Sequence, residues 1–307
     1  MKRTDAAVFL LFGQSNAVGH ILPMRQEDKI LEPMPNVFGL SRTLNQSFDN
    51  QQLYWSGYTS FDMNLGETQD DTYSIANCLA QLWQARINGG EELPDLYIVH
   101  IAIGAQGITD KFMWYPDRER KLIPGPLGVA DIALYPFALH ILSLLQDSFQ
   151  KLGKTYEIFG MHWLGGHEDV GRPIEELTGV LDEIYLRLIR EMRECAGVAF
   201  PIVLHNLDYP DRAFEVDSSG KTLKNMHYIN GEFDYLSRTC SNVSIFYNTD
   251  APHYIPNVRG NGLYLDVDAV HHTEQTNRWI AQTIFETYRI KDYTLFATPR
   301  FAGELLF

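Results

Sequence analysis

The sequence predicts an α/β fold, a three-layer sandwich with a central parallel sheet between two layers of helices. Three observations carry that reading. Apolar runs of strand length alternate with amphipathic helical patterns along the whole chain. The strongest run, Leu96 to Ile103, is nearly continuously apolar, as a strand covered on both faces must be. It and two other runs, Ala6 to Phe12 and Tyr156 to Leu164, each end on glycine and a polar turn. Those turns are Gly13-Gln14-Ser15-Asn16, Gly104-Ala105-Gln106-Gly107 and Gly165-Gly166-His167-Glu168-Asp169. Parallel strands open their C-terminal ends on one edge of the sheet, so the three turns are predicted to converge on one crevice.

Between these runs the elements follow in order. Asn36 to Leu40 suits a second short strand, and Ser41 to Thr72 reads as a long polar and aromatic loop. Tyr73 to Arg86 places Ile75, Leu79, Leu82 and Trp83 at helical spacing. A second long loop, Thr109 to Asp131, precedes a helix opened by Pro136 and running to about Leu152. Pro173 to Cys195 reads as a helix with Leu177, Leu181, Ile184, Leu188 and Met192 in register. Strands at Pro201 to His205 and Val243 to Tyr247 flank a helix over Lys224 to Arg238. Asp266 to His272 then leads into a helix from about Glu274 to Arg289. No linker, repeat or low-complexity tract divides residues 1–307, so a single domain is expected.

Composition narrows the function. The 307 residues carry a formal charge of −14, which disfavours a nucleic-acid partner, because such binding draws on clustered Lys and Arg. A small-molecule substrate fits better. The three cysteines, Cys78, Cys195 and Cys240, are scattered without disulfide or zinc spacing, so a reducing, cytoplasmic location is expected. Met1-Lys2-Arg3 before an apolar run imitates a secretory leader, but Asp5 interrupts it and no small-x-small cleavage site follows. No stretch approaches a membrane span. Oligomeric state is not readable from the chain.

A serine at the end of a buried strand is placed for nucleophilic work, although Ser and Asn also favour turns and helix caps. What distinguishes the two is a base. Near the C-terminus, Asp268-Ala269-Val270-His271 provides one: an Asp three residues before a His can bond imidazole Nδ1 and leave Nε2 to take the serine proton. His272 competes with His271, and Asp266 with Asp268, where the i, i+3 spacing favours Asp268.

Gly13-Gln14-Ser15-Asn16 after an N-terminal strand, with Asp268-x-x-His271 before a C-terminal helix, resembles the SGNH hydrolase superfamily. More narrowly it is similar to the sialate O-acetylesterase-like and acetylxylan-esterase-like branch (carbohydrate esterase family six). The resemblance runs from Phe12 to about Ile284. It implies a flavodoxin-like SGNH fold and cofactor-free hydrolysis of carbohydrate O-acetyl esters. Ser15 would be nucleophile, His271 general base and Asp268 its orienter. Ala102 to Ile108 looks like the block that supplies a backbone oxyanion donor, with Gly104 preferred over Gly107. The third block departs from the branch pattern Trp-x-Gln-Gly-Glu-x-Asp. Trp163, Gly166 and Asp169 match, while Gly165 replaces the Gln and His167 the Glu. The third oxyanion donor is therefore open among Gln14, Asn16, Gln106, His167 and a backbone amide.

Two rival readings stand beside this one. A non-catalytic carbohydrate-binding protein could retain the fold, and His162, His167, Glu168 and Asp169 are residue types that bind metals, though without a metal-site spacing. Trp55, Tyr58, Trp114 and Tyr115 could stack on sugars or simply anchor their loops. Asp70-Asp71 reads as a solvated helix start.

Overall fold

In the computed structural model, the described residues are 4–20, 24–68, 72–119, 122–124, 130–207, 221–250 and 271–291. Among the described residues nine strands run in chain order: β1 (Ala6–Gly13), β2 (Val37–Leu40), β3 (Trp55–Gly57), β4 (Asp95–Ala102), β5 (Leu122–Pro124), β6 (Ala130–Ile132), β7 (Tyr156–Leu164), β8 (Ile202–His205) and β9 (Val243–Phe246). Seven form one sheet in the order β3-β2-β4-β1-β7-β8-β9, and β5 and β6 pair separately. Every pairing in the large sheet is parallel except β2 with β3. The five strands β4-β1-β7-β8-β9 thus follow the flavodoxin-like order 2-1-3-4-5, whose switch point lies between β1 and β7.

Side-chain alternation along β1 sorts the core into two layers. Ala6, Val8, Leu10 and Phe12 face one apolar cluster, and Ala7, Phe9 and Leu11 face the other. The main helices are α3 (Ile75–Asn88), α4 (Leu134–Ser143), α5 (Leu145–Leu152), α7 (Val180–Ala196), α8 (Lys221–Thr239) and α9 (Glu274–Ile290). Single turns α1 (Ser15–Val18), α2 (Arg42–Asn45) and α6 (Ile174–Leu177) complete the α-helices among the described residues. Phe137 and Ile141 of α4, Phe149 of α5, Leu188 of α7 and Phe233 of α8 pack on the first face. Trp83 of α3 and Ile284 and Phe285 of α9 pack on the second, with the Trp83 and Phe285 rings edge to face at 5.5 Å. Each such side chain contributes about 1.5–3 kcal/mol by leaving water. β1 is fully buried along its length, which explains why its sequence is an unbroken apolar run.

Helix ends follow local chemistry. Ser74 caps α3 by accepting the Asn77 N–H at 3.2 Å, and Thr273 caps α9 by accepting the Thr276 N–H at 3.2 Å. The structure differs from the sequence expectation in two helices and both long loops, the loop from Thr109 carrying the paired strands β5 and β6. The predicted helix from Pro136 is two helices that meet at Leu144, whose N–H bonds the Ile141 carbonyl three residues back at 3.2 Å. The predicted helix from Pro173 is likewise divided, at Gly179, whose φ of +78° no continuous helix accommodates. The loop from Ser41 contains a three-residue edge strand, too short for a period-2 signal, that pairs Leu40 with Trp55. No helix among the described residues is long and apolar enough to cross a membrane.

Candidate active site

The turn after β1 is built around Gly13. Its φ is +145°, and a Cβ there would sit 2.3 Å from the Leu164 carbonyl oxygen, so only glycine lets β1 pass β7 this closely. The Gln14 N–H donates to that same carbonyl at 3.0 Å, and the Trp114 indole N–H donates to the Gly13 carbonyl at 2.9 Å. Ser15 then opens α1. The Gln14 carbonyl accepts from the Ala17 and Val18 amides at 2.8 and 3.0 Å, and buried His100 on β4 bonds the Ala17 carbonyl at 2.9 Å. These bonds fix the residues on either side of Ser15, at the β1 edge of the switch point.

The chain returns to this turn 256 residues later. The His272 N–H donates to Asn16 Oδ1 at 2.9 Å, which places the run His271-His272 against the serine's neighbour. The His271 ring lies 6.1 Å, centroid to centroid, from His20. His167 is buried, and burial together with nearby His272 and His271 pushes it down to about 3. His272 is pushed down to about 4, again chiefly by burial. Both imidazoles are therefore neutral near pH 7. Asp268, its competitor Asp266 and the Asp70–Asp71 pair lie outside the described residues.

The end of β4 carries the turn expected to supply a backbone oxyanion donor. The Gly104 N–H, expected to face the oxyanion, donates to Glu67 Oε2 at 2.7 Å. A substrate oxygen would have to displace this charge-assisted bond to use the same donor. Farther along, Asp169 gathers the Ile108 N–H at 3.0 Å, the Thr109 N–H at 3.1 Å and the Thr109 hydroxyl at 2.7 Å. Burial raises the Asp169 carboxyl, and these three donors oppose the rise. Gly107 lies between the two engaged stretches, and its N–H enters no hydrogen bond among the described residues. The Gln106 side chain turns to the loop, its Oε1 accepting from the Met113 N–H at 3.0 Å.

The third turn closes the crevice from β7. Gly166 has φ +114°, and the Glu168 N–H reaches Gln14 Oε1 at 3.4 Å, a long bond that joins the first and third turns. His167 sits here, Asp169 serves the β4 loop, and Glu168 is raised by burial and by neighbouring Asp169. His162 lies deeper on β7, where Nδ1 is 2.8 Å from His205 Nε2 and His205 Nδ1 is 3.0 Å from Asn248 Oδ1. The four residues considered as a metal set thus face different partners. Of the loop aromatics, Trp114 and Tyr58 are fully buried and anchor their loops, Trp114 packing edge to face on Trp163 at 4.9 Å. Trp55 is partly buried against Tyr97, its N–H donated to Ser148.

Sequence reasoning missed two side chains in the crevice, His20 and Glu67, which bond each other at 3.0 Å. His20 closes the turn begun by Ser15, and its backbone N–H donates to the Ser15 carbonyl at 3.0 Å. Its position five residues after the serine was the available signal. Glu67 had none, because it arrives from the long loop.

No family model and no curated protein matches this chain. Solved structures do. NanS aligns over 94% of this chain and 100% of its own, with a TM-score of 0.59 and 14% identity. A protein from Arabidopsis thaliana aligns over 94% and 99%, with a TM-score of 0.55 and 16% identity. A carbohydrate acetylesterase from Xanthomonas citri aligns over 92% of this chain and 55% of its own, with a TM-score of 0.52 and 11% identity. The chain shares the α/β fold of these structures, a mostly parallel sheet flanked by helices. At these identities the likeness speaks for the fold.

Proposed function

We propose that the protein is a serine esterase that hydrolyses O-acetyl esters of a small saccharide through an acetyl-serine intermediate, acting as one catalytic domain. The observation that carries this reading is the Asn16–His272 bond, which draws the run bearing His271 onto the Ser15 turn at the switch point of the sheet. In the proposed cycle His271 takes the Ser15 hydroxyl proton as Oγ attacks the acetyl carbonyl, with Asp268 as orienter. The tetrahedral oxyanion accepts from the Ser15 N–H and, now that Glu67 holds Gly104, from the Gly107 N–H. The Asn16 carboxamide oxygen accepts from the His272 N–H, and the third oxyanion donor stays open among Gln14, Asn16, Gln106, His167 and a backbone amide. His271 returns the proton to the departing sugar oxygen as the C–O bond breaks. It then takes a proton from water, which attacks acetyl-Ser15 and frees acetate and serine. The scattered spacing of Cys78, Cys195 and Cys240 supports the further proposal of a cytoplasmic location.

Turnover of p-nitrophenyl acetate tests the assignment. Ser15→Ala should lose on the order of 10³-fold or more in kcat, and a fluorophosphonate should label the wild type at Ser15 alone by mass spectrometry. Undiminished turnover in Ser15→Ala would sink the nucleophile. Saccharide binding without turnover of any acetylated substrate would favour a binding protein that retains the fold.

A further inference from the structure

A second imidazole–carboxylate pair stands beside the serine turn. The backbone of His20 is fixed by its bond to the Ser15 carbonyl, and its ring by Glu67 Oε1 at 3.0 Å from Nε2. The other oxygen of Glu67 is occupied by the Gly104 N–H at 2.7 Å. The loop that brings Glu67 is itself locked to the end of β4. Asn64 Oδ1 accepts from the Ala102 and Gly66 amides at 2.9 and 3.0 Å, its Nδ2 donates to the Ala102 carbonyl at 2.9 Å, and the Glu67 N–H donates to the same carbonyl at 3.0 Å. The His20 ring occupies the space over Gly104. A Cβ on that residue would come within 2.2 Å of Cε1 and 2.9 Å of Nδ1, so glycine there makes room for the ring.

The arrangement decides the tautomer. An ionised carboxylate only accepts, so neutral His20 carries its proton on Nε2 and presents a lone pair at Nδ1. Burial opposes ionisation of Glu67, but the bonds from His20 and the Gly104 N–H outweigh it and hold the carboxyl below its ordinary range. The His20 side chain is 30% exposed, so the crevice reaches it. Its centroid lies 6.1 Å from that of His271. Hydrogen bonds of about 2.8 Å to each ring let a single hydroxyl-bearing carbon fragment sit between them.

We propose that His20, oriented by Glu67, recognises the alcohol half of the ester, its Nδ1 accepting a hydrogen bond from a free hydroxyl next to the acetylated one. The inference rests on the serine-esterase reading of the same crevice. It predicts preference for saccharide acetates with a neighbouring free hydroxyl over aryl acetates, which have none.

The test compares kcat/KM on p-nitrophenyl acetate with kcat/KM on a saccharide. The saccharide is whichever the wild type turns over best among mono-O-acetylated sialic acid, xylo-oligosaccharide and hexosamine. His20→Ala should lower the saccharide value about 10-fold more than the aryl value, the size of one lost hydrogen bond to substrate. Glu67→Gln should move the ratio in the same direction with His20 still in place. Its amide would donate to Nε2 and shift the imidazole proton to Nδ1, turning the acceptor into a donor, while its oxygen still serves Gly104. Should His20→Ala fail to fold, Glu67→Gln carries the test alone. Equal losses on both substrates, or no loss on either, overturn the inference, as does a wild type active on the aryl ester and on no saccharide. Ser15→Ala, run alongside, separates the two levels: a wild-type rate in that variant removes the esterase reading itself, whatever the ratio shows.

Discussion

Glu67 and Asp169 flank the loop that follows β4, and each carboxylate accepts backbone N–H groups from it. Glu67 is partly exposed and divides itself between the Gly104 amide and an imidazole that the crevice reaches. Asp169 is fully buried and gives its whole accepting capacity to Ile108 and Thr109. The same contrast holds for the imidazoles. His20 keeps an open edge, whereas His167 and His272 are buried and neutral. One rim of the crevice is therefore arranged to meet a ligand and the other to hold a shape. The acid or imidazole itself does not decide which; its exposure and the number of donors around it do.

The contrast can be broken at several points. The largest effect should come from acid. His100, His162 and His167 are pushed down to about 3 and His272 to about 4 from an ordinary 6.5, each chiefly by burial. Their folded values lie below the unfolded one, so the unfolded chain binds more protons once the pH falls under 6.5. Stability is complete above that pH and drains away as pH drops toward 4, by up to about 1.4 kcal/mol per pH unit for each such histidine. Urea midpoints at pH 7.5, 6.5, 5.5 and 4.5 should fall steeply below 6.5, and a flat profile would contradict neutral burial. Next in size is Asp169→Ala, which strands three buried donors and should cost about 3–5 kcal/mol in denaturant unfolding. A loss under about 1 kcal/mol would mean that water or another acceptor replaces the carboxylate. The smallest effect should be Glu67→Gln, within about 1 kcal/mol of wild type, because the amide oxygen still serves Gly104 and the partly exposed His20 pair is screened by solvent. If the two acidic positions prove equally costly, the division between a ligand-facing and a structural rim fails.

Much of the fold was legible in the residues. The apolar runs at Ala6, Leu96 and Tyr156 became β1, β4 and β7 within a residue or two, because strands buried on both faces tolerate little polarity. The breaks at Leu144 and Gly179 were not, since apolar periodicity continues across each of them. In the crevice, the glycine-ended turns at Gly13, Gly104 and Gly165 could be read as converging from strand direction alone. The partner of Gly104 could not: Glu67 is 37 residues away and its loop has no periodicity.

By itself the sequence determined which segments are buried strands, where each stops, and therefore which polar turns share an edge. These follow from side-chain burial and backbone freedom, properties a residue carries with it. Tertiary structure alone decided who holds whom at that edge. It gave Gly104's amide to Glu67, turned Asp169 into a clamp on Ile108 and Thr109, and brought His20 under Glu67's control. Hydrogen bonds between residues far apart in the chain depend on angstrom-scale placement, and no local pattern encodes that.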